Sequence, residues 1–255
     1  MRSLIINEHM KIIYKKSNKV LFGGLLVLSI TLSLITKRMV DGAGVNENII
    51  SYLSFTTGFL SILPFFAIAI ASGIVANEFD WGTIKFLLIR PAKRSKVLLS
   101  KYVTVLLVSL YLFFVFFVSS MLLGALLFGF EYIKDDAALI KSTLIGYGLS
   151  YVETIVATTF AFSISTVFRN SSLAVGLSVL LTLAGEGFVQ LLSTLKVSWG
   201  KYLLYANTDF GQYIGGSEPL FEGMTASFSI FVTAVYMVLF LVASWWTFTK
   251  RDMTV

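Results

Sequence analysis

The chain has 255 residues, 56% hydrophobic and 13% charged, with a mean hydropathy of +0.84 and a net charge of +6. Ordinary globular domains carry roughly 25% charged residues, so this composition leaves too little polar surface to coat a soluble fold. With no cysteine and a single histidine, His9, it also excludes disulfide frameworks, thiol or Fe–S chemistry and any multi-histidine catalytic set.

Residues 1–19 place Ile6, Met10 and Ile13 on one helical face, with Ile5 and Ile12 beside them and Glu8, Lys11 and Lys15 elsewhere on the wheel. That spacing predicts an amphipathic helix lying along the inner leaflet. Six apolar runs follow, each close to the ~17–25 residues that cross a hydrocarbon core. They are Val20–Thr36, Thr56–Ala76, Tyr102–Phe130, Thr143–Phe168, Leu173–Leu195 and Thr225–Phe248. The first has a basic stretch before it, as a signal peptide does. It ends in Lys37 and Arg38 without a small-residue cleavage site, so it reads as a retained helix. The fold class is therefore all-α: residues 1–19 interfacial, residues 20–255 a six-span membrane domain.

Lys and Arg fall unequally on the two sides. Arg2, Lys11, Lys15, Lys16, Lys19, Lys85, Arg90, Lys93, Arg94, Lys96, Lys101, Arg169, Lys250 and Arg251 share one side. Lys37, Arg38, Lys134, Lys141, Lys196 and Lys201 lie on the other. The positive-inside rule then puts both termini in the cytoplasm of a bacterial plasma membrane. In such a chain the positive charge serves topology, and no nucleic-acid partner is expected.

The loop 77–101 carries more order than topology requires. The second span runs on, Pro64 aside, to Glu78 and Asp80. Trp81-Gly82-Thr83 then supplies a turn with Thr83 as a possible helix cap. A short apolar helix over Ile84–Ile89 is stopped at Arg90-Pro91, because the residue before proline is pushed out of helical conformation. The segment 197–224 is aromatic but too broken to span. Trp199, Tyr202, Tyr205 and Tyr213 suit an external interfacial or re-entrant hairpin.

Glu78, Gly82, Thr83, Leu87, Leu88, Pro91, Arg94 and Lys101 occur in the order of the cytoplasmic signature of type-2 ABC transporter permeases, which this loop resembles. The segment from Trp199 and the tail with Phe248, Lys250, Arg251 and Asp252 are similar to the bacitracin- and lantibiotic-resistance branch of that family. The resemblance implies the membrane subunit of an exporter of amphipathic, peptide-like or other membrane-seeking compounds. It also implies a second permease copy, as homodimer or heterodimer, and two copies of a separate ATPase subunit that bind ATP and Mg. In that reading Glu78 holds the hinge, the segment containing Leu87 and Leu88 is a coupling helix ended by Pro91, and Arg94 or Lys96 meets acidic residues of the ATPase. The chain contains no G-x-x-x-x-G-K-[ST] loop, so it is expected to hold no nucleotide, metal or other cofactor by that motif and to be no enzyme itself.

Two carboxylates, Glu153 and Glu186, fall inside predicted spans, where an acid usually faces a bundle interior or a watery path. Gly185 and Gly187 flank Glu186 and would allow a helix break or a close approach, making it the stronger gate or substrate candidate. The small and hydroxyl residues of the fourth span, from Thr154 to Thr166, suit close helix packing. The alternatives are a secondary transporter and an intramembrane enzyme, although neither HExxH nor Gly-x-Ser-x-Gly is present.

Overall fold

The computed structural model describes residues 1–45, 47–84, 93–130, 136–214 and 218–250. Their regular structure is entirely helical. Helix α1 (Arg2–Tyr14) is separated from α2 (Lys16–Ala43) by Lys15, whose backbone is extended at ψ 124°. Helix α2 closes on Gly44 in the left-handed region, φ 64°, where glycine carries no Cβ penalty. Helix α3 (Ile49–Thr56) starts under Asn48, whose side chain accepts from the N–H groups of Ile50 (3.0 Å) and Ser51 (2.9 Å). Helix α4 covers Leu63–Asp80, α5 Arg94–Phe128, α6 Asp136–Phe168, α7 Ser171–Thr194 and α8 Ala226–Lys250.

Six segments are long and apolar enough to cross a bilayer: α2, α3 with α4, α5, α6, α7 and α8. The protein is a multi-pass membrane protein with six transmembrane helices. The helices overrun the apolar runs that announced them. At 35 residues α5 is about 52 Å long, against a hydrocarbon core of ~30 Å. Hydropathy reports the thickness of lipid, whereas the helix continues as long as its hydrogen-bond ladder is supported, here back through the basic turn at Arg94–Lys101.

The second span differs from its expected unbroken course. Residues Thr57–Ile62 form a 3-10 stretch between α3 and α4, with Pro64 in the first turn of α4. Proline lacks an N–H and its ring clashes with the carbonyl four residues back, so one continuous α-helix from Ile49 to Asp80 is excluded.

Burial separates centre from rim. In their most apolar windows 67% of the second span and 61% of α6 are buried, against 22% of α2, 22% of α7 and 11% of α8. Helix α6 reaches the centre because its inward face is small. Thr154, Ala157, Thr158, Thr159, Ala161, Ser163, Ser165 and Thr166 are all buried. Each hydroxyl so placed needs a partner in lipid. Thr154 and Thr159 donate to carbonyls one turn back at 2.9 and 2.7 Å, and Ser165 Oγ accepts from the Val75 and Ala76 N–H groups of α4 at 3.3 and 3.0 Å. Close backbone packing, rather than a polar conduit, is what this stripe provides.

Between α7 and α8 the chain folds into three short 3-10 turns, Ser198–Tyr202, Leu204–Ala206 and Phe210–Tyr213, that cap one end of the bundle. Buried Asn207 holds the cap to α8: its amide donates to the carbonyls of Lys201 and Leu203, both at 2.7 Å, and its Oδ1 accepts from Ser229 at 2.7 Å.

Candidate functional site

At the face carrying α1, where the basic residues collect, two carboxylates and two ammonium groups meet beneath the surface. Glu78 comes from the last turn of α4, Lys101 from the second turn of α5, and Glu8 and Lys11 from α1. Lys101 is fully buried and Glu8 and Glu78 are nearly so. The Lys101 ammonium donates to Glu8 Oε2 (2.7 Å), Glu78 Oε1 (3.3 Å) and the Ile74 carbonyl (3.1 Å), which uses its full donor capacity. Lys11 Nζ bridges Glu8 Oε1 and Glu78 Oε1, both at 2.8 Å. Burial alone would disfavour its charge, but its hydrogen bonds to the Glu78 and Glu8 carboxylates, with their negative charge, outweigh it and raise the Lys11 pKa above 10.5.

The second Glu78 oxygen takes the hydroxyl of Thr83 in a short hydrogen bond. Gly82 makes this possible: at φ 65° it reverses the chain just past α4 and returns Thr83 over the end of the helix. The Thr83 hydroxyl thus donates to Glu78; the N–H groups it was expected to cap lie outside the described residues. Charges cancel within the group, and each buried ion has an opposite partner. One ion group therefore joins the interfacial helix, two spans and the turn after Gly82.

Around this network lies a second set of ties. Asp80 accepts from the backbone N–H of Ser171 (2.9 Å) and from its hydroxyl, joining the end of α4 to the start of α7. The Arg169 guanidinium lies 4.7 Å from the Phe79 ring centre, on a left-handed backbone at φ 56°. Lys15 Nζ lies 5.1 Å from the Trp81 ring centre, and burial lowers its pKa from 10.5. Arg94 donates to the Thr249 carbonyl at 3.3 Å, and Lys96 is exposed.

Of the residues picked from the loop, Glu78, Gly82 and Thr83 come together, whereas Arg94 and Lys96 lie outside the network. Leu87, Leu88 and Pro91, with most of the short helix read over Ile84–Ile89, lie outside the described residues. So do Arg251 and Asp252 of the tail. Sequence reasoning placed Lys101 in the loop signature but gave no contact to it, to Glu8 or to Lys11. One signal was present: Glu8 is the acid of an otherwise basic amphipathic segment, and it is buried, while Ile6, Met10 and Ile13 are exposed toward the membrane level.

At the opposite end, Glu153 on α6 lies within electrostatic reach of Glu186 on α7 and of Asp209. Among the described residues neither glutamate is in an ion pair. Helix α7 runs unbroken past Gly185, so of the two expectations, a helix break or the close approach of another backbone, the break does not occur. The glycine instead admits the Tyr205 ring: a Cβ at Gly185 would fall 2.3 Å from Tyr205 Cδ2. The Tyr205 hydroxyl bonds Thr182 at 2.9 Å, and its pKa is raised to about 12 by burial, with Glu186 and Glu153 adding to the effect.

With the geometry in place, the relatives of the chain can be stated. A family described as "Protein of unknown function (DUF2705)" matches residues 13–254. The chain belongs to the DUF2705 family. It is similar to the "Uncharacterized membrane protein YdbK" of Bacillus subtilis (strain 168), 41% identical over 96% of this chain and 100% of that protein. It is also similar to the "Uncharacterized protein YhcI" of the same organism, 42% identical over 79% of this chain and 68% of that one. This membership corrects the type-2 ABC permease assignment drawn from the loop, the segment from Trp199 and the tail. A Gly-Thr turn, a proline and a basic re-entry are local answers to topology and chain reversal, so an ordered match among them does not fix a family. The DUF2705 match covers nearly every residue, including Glu78 and Lys101 of the ion network, whereas Glu8 and Lys11 precede it.

Proposed function

We propose that this DUF2705 protein is the membrane-embedded subunit of an ATP-driven exporter of amphipathic, membrane-seeking compounds, with ATP and Mg bound by a separate cytoplasmic ATPase. The basic face, by its excess of Lys and Arg, is the cytoplasmic one, and the working unit pairs two copies of the chain with two of the ATPase. The observation that carries the reading is the buried Glu8–Lys101–Glu78–Lys11 network. It couples the turn after Gly82 and the interfacial helix to two spans, so a push at the surface is delivered to α4 and α5 together. A partner need only favour one of two arrangements of these helices to shift the population.

The test is affinity purification of the full chain from its native membrane, with ATP hydrolysis in the eluate and ATP-dependent efflux of a fluorescent amphipathic peptide as readouts. Co-eluting ATPase activity that Lys101→Met uncouples from efflux supports the proposal. Wild-type protein with no ATPase and no ATP-dependent efflux rejects it. A second reading, an ion-coupled transporter, draws on the meeting of Glu153, Glu186 and Asp209 from separate elements. Efflux that follows a proton gradient, and is lost in Glu186→Gln, would favour it instead.

A further inference from the structure

A cavity of about 1220 Å³ opens beside the ion network, between α1, α2, α4 and the start of α7. It exceeds the ~300–1,000 Å³ of drug-sized ligand sites. Its walls change character along the membrane normal. At the basic face they carry Lys15, Asn77, Ser172 and Trp81; deeper they are Leu21, Ile70 and Val175. From Glu78 to Ala69 the α4 wall descends about 13 Å. Two of its lining residues, Val175 and Gly176, also begin a second, wholly apolar groove along α7 that reaches Ala184. From Ser171 to Ala184 the combined path is about 20 Å, most of one leaflet and more.

Charge completes the pattern. The ammonium of Lys11 is spent on Glu8 and Glu78, and the four ions there balance. Lys15 makes no ion pair among the described residues and rests half-buried on the Trp81 ring. Trp81 and Tyr14 are largely exposed, 64% and 71%, as aromatic side chains at the headgroup level are. The cavity therefore offers one uncompensated cation at its polar mouth and a continuous apolar path beneath it.

We infer that this cavity and the groove along α7 hold one anionic glycerophospholipid from the leaflet at the basic face, its phosphate at Lys15 and an acyl chain along Gly176–Ala184. A soluble phosphate would leave the apolar walls bare, and a zwitterionic lipid would gain less from Lys15. The site belongs to the chain by itself and needs no ATPase, so it stands or falls independently of the transport reading.

The experiment uses the purified full chain, extracted in mild detergent from membranes holding equal phosphatidylglycerol and phosphatidylcholine, with retained lipid counted by native mass spectrometry. One phosphatidylglycerol per chain should be retained in preference to phosphatidylcholine, and 10 mM inorganic phosphate should not displace it. Lys15→Ala should cut the preference about fivefold, one interfacial charge's worth, and Lys15→Arg should keep it. A Cβ at Gly176 meets nothing within 4 Å, so Gly176→Leu fills the groove without strain and should lower retention of both lipids. Equal retention of the two lipids, displacement by phosphate, or indifference to Lys15→Ala and Gly176→Leu would each overturn the site. So would a dimer that Gly176→Leu dissociates while lipid retention is unchanged, since a second copy would then be the occupant.

Discussion

The two ends of the bundle treat charge in opposite ways: the ions at the basic face are mostly buried and paired, whereas at the other end Glu153 is half-buried and Glu186 and Asp209 are exposed. At the basic face two acids and two bases neutralise one another within hydrogen-bond distance, and the fully buried Lys101 has all its donors engaged. At the other end Glu153 feels the charges of Glu186 and Asp209, with no base in an ion pair to either glutamate among the described residues. A compensated network fixes elements relative to each other, because breaking any one pair strands its partner. An uncompensated acid fixes nothing and is free to change its proton or its contacts.

That contrast can be broken most forcefully at Lys101. Lys101→Met strands two nearly buried carboxylates on the single, half-exposed Lys11, and removing one partner of a buried ion set costs about 3–5 kcal/mol. Thermal unfolding of the detergent-solubilised protein should show a large fall; an unchanged melting temperature would mean that the network holds nothing together. Next in size is Gly185→Ala, whose Cβ would sit 2.3 Å from the Tyr205 ring. Overpacking of this kind costs about 1–3 kcal/mol, and the displaced tyrosine should appear as altered fluorescence or faster proteolysis of the 198–213 cap.

Glu153→Gln tests the other side of the comparison. With no cation to strand, it should leave stability within about 0.5 kcal/mol or improve it, and a loss like that of Lys101→Met would erase the distinction between the two ends. The smallest effect is in pH. The Lys11 pKa is raised above 10.5 in the folded chain, so its contribution is complete below that value and fades as pH rises through the folded pKa. Melting temperature should be insensitive to Lys11→Met substitution only at strongly alkaline pH, with a modest difference between the two proteins at neutral pH.

Much of the fold was legible because lipid imposes a simple rule. Six apolar runs and an amphipathic N-terminal segment follow from hydrocarbon thickness and charge cost, and each corresponds to helical structure. The change to 3-10 geometry at Thr57–Ile62 was less legible, although Pro64 signalled it. At the site, Glu78 and Gly82 stood out as an acid and a glycine at the end of a span. Glu8 stood out only as the one acid of a basic segment, a signal that named no contact, since its partner Lys101 is 93 residues away. The loop motif misled as to family because its residues answer local needs that many membrane proteins share.

By itself, then, the sequence determined that this is a six-span helical membrane protein, since hydropathy and charge placement act residue by residue against a fixed solvent. Tertiary structure alone decided which charges are compensated. Coulomb energy depends on a few ångströms between groups on different helices, and only packing α1 against α4 and α5 brings Glu8, Lys11, Glu78 and Lys101 to 2.7–3.3 Å.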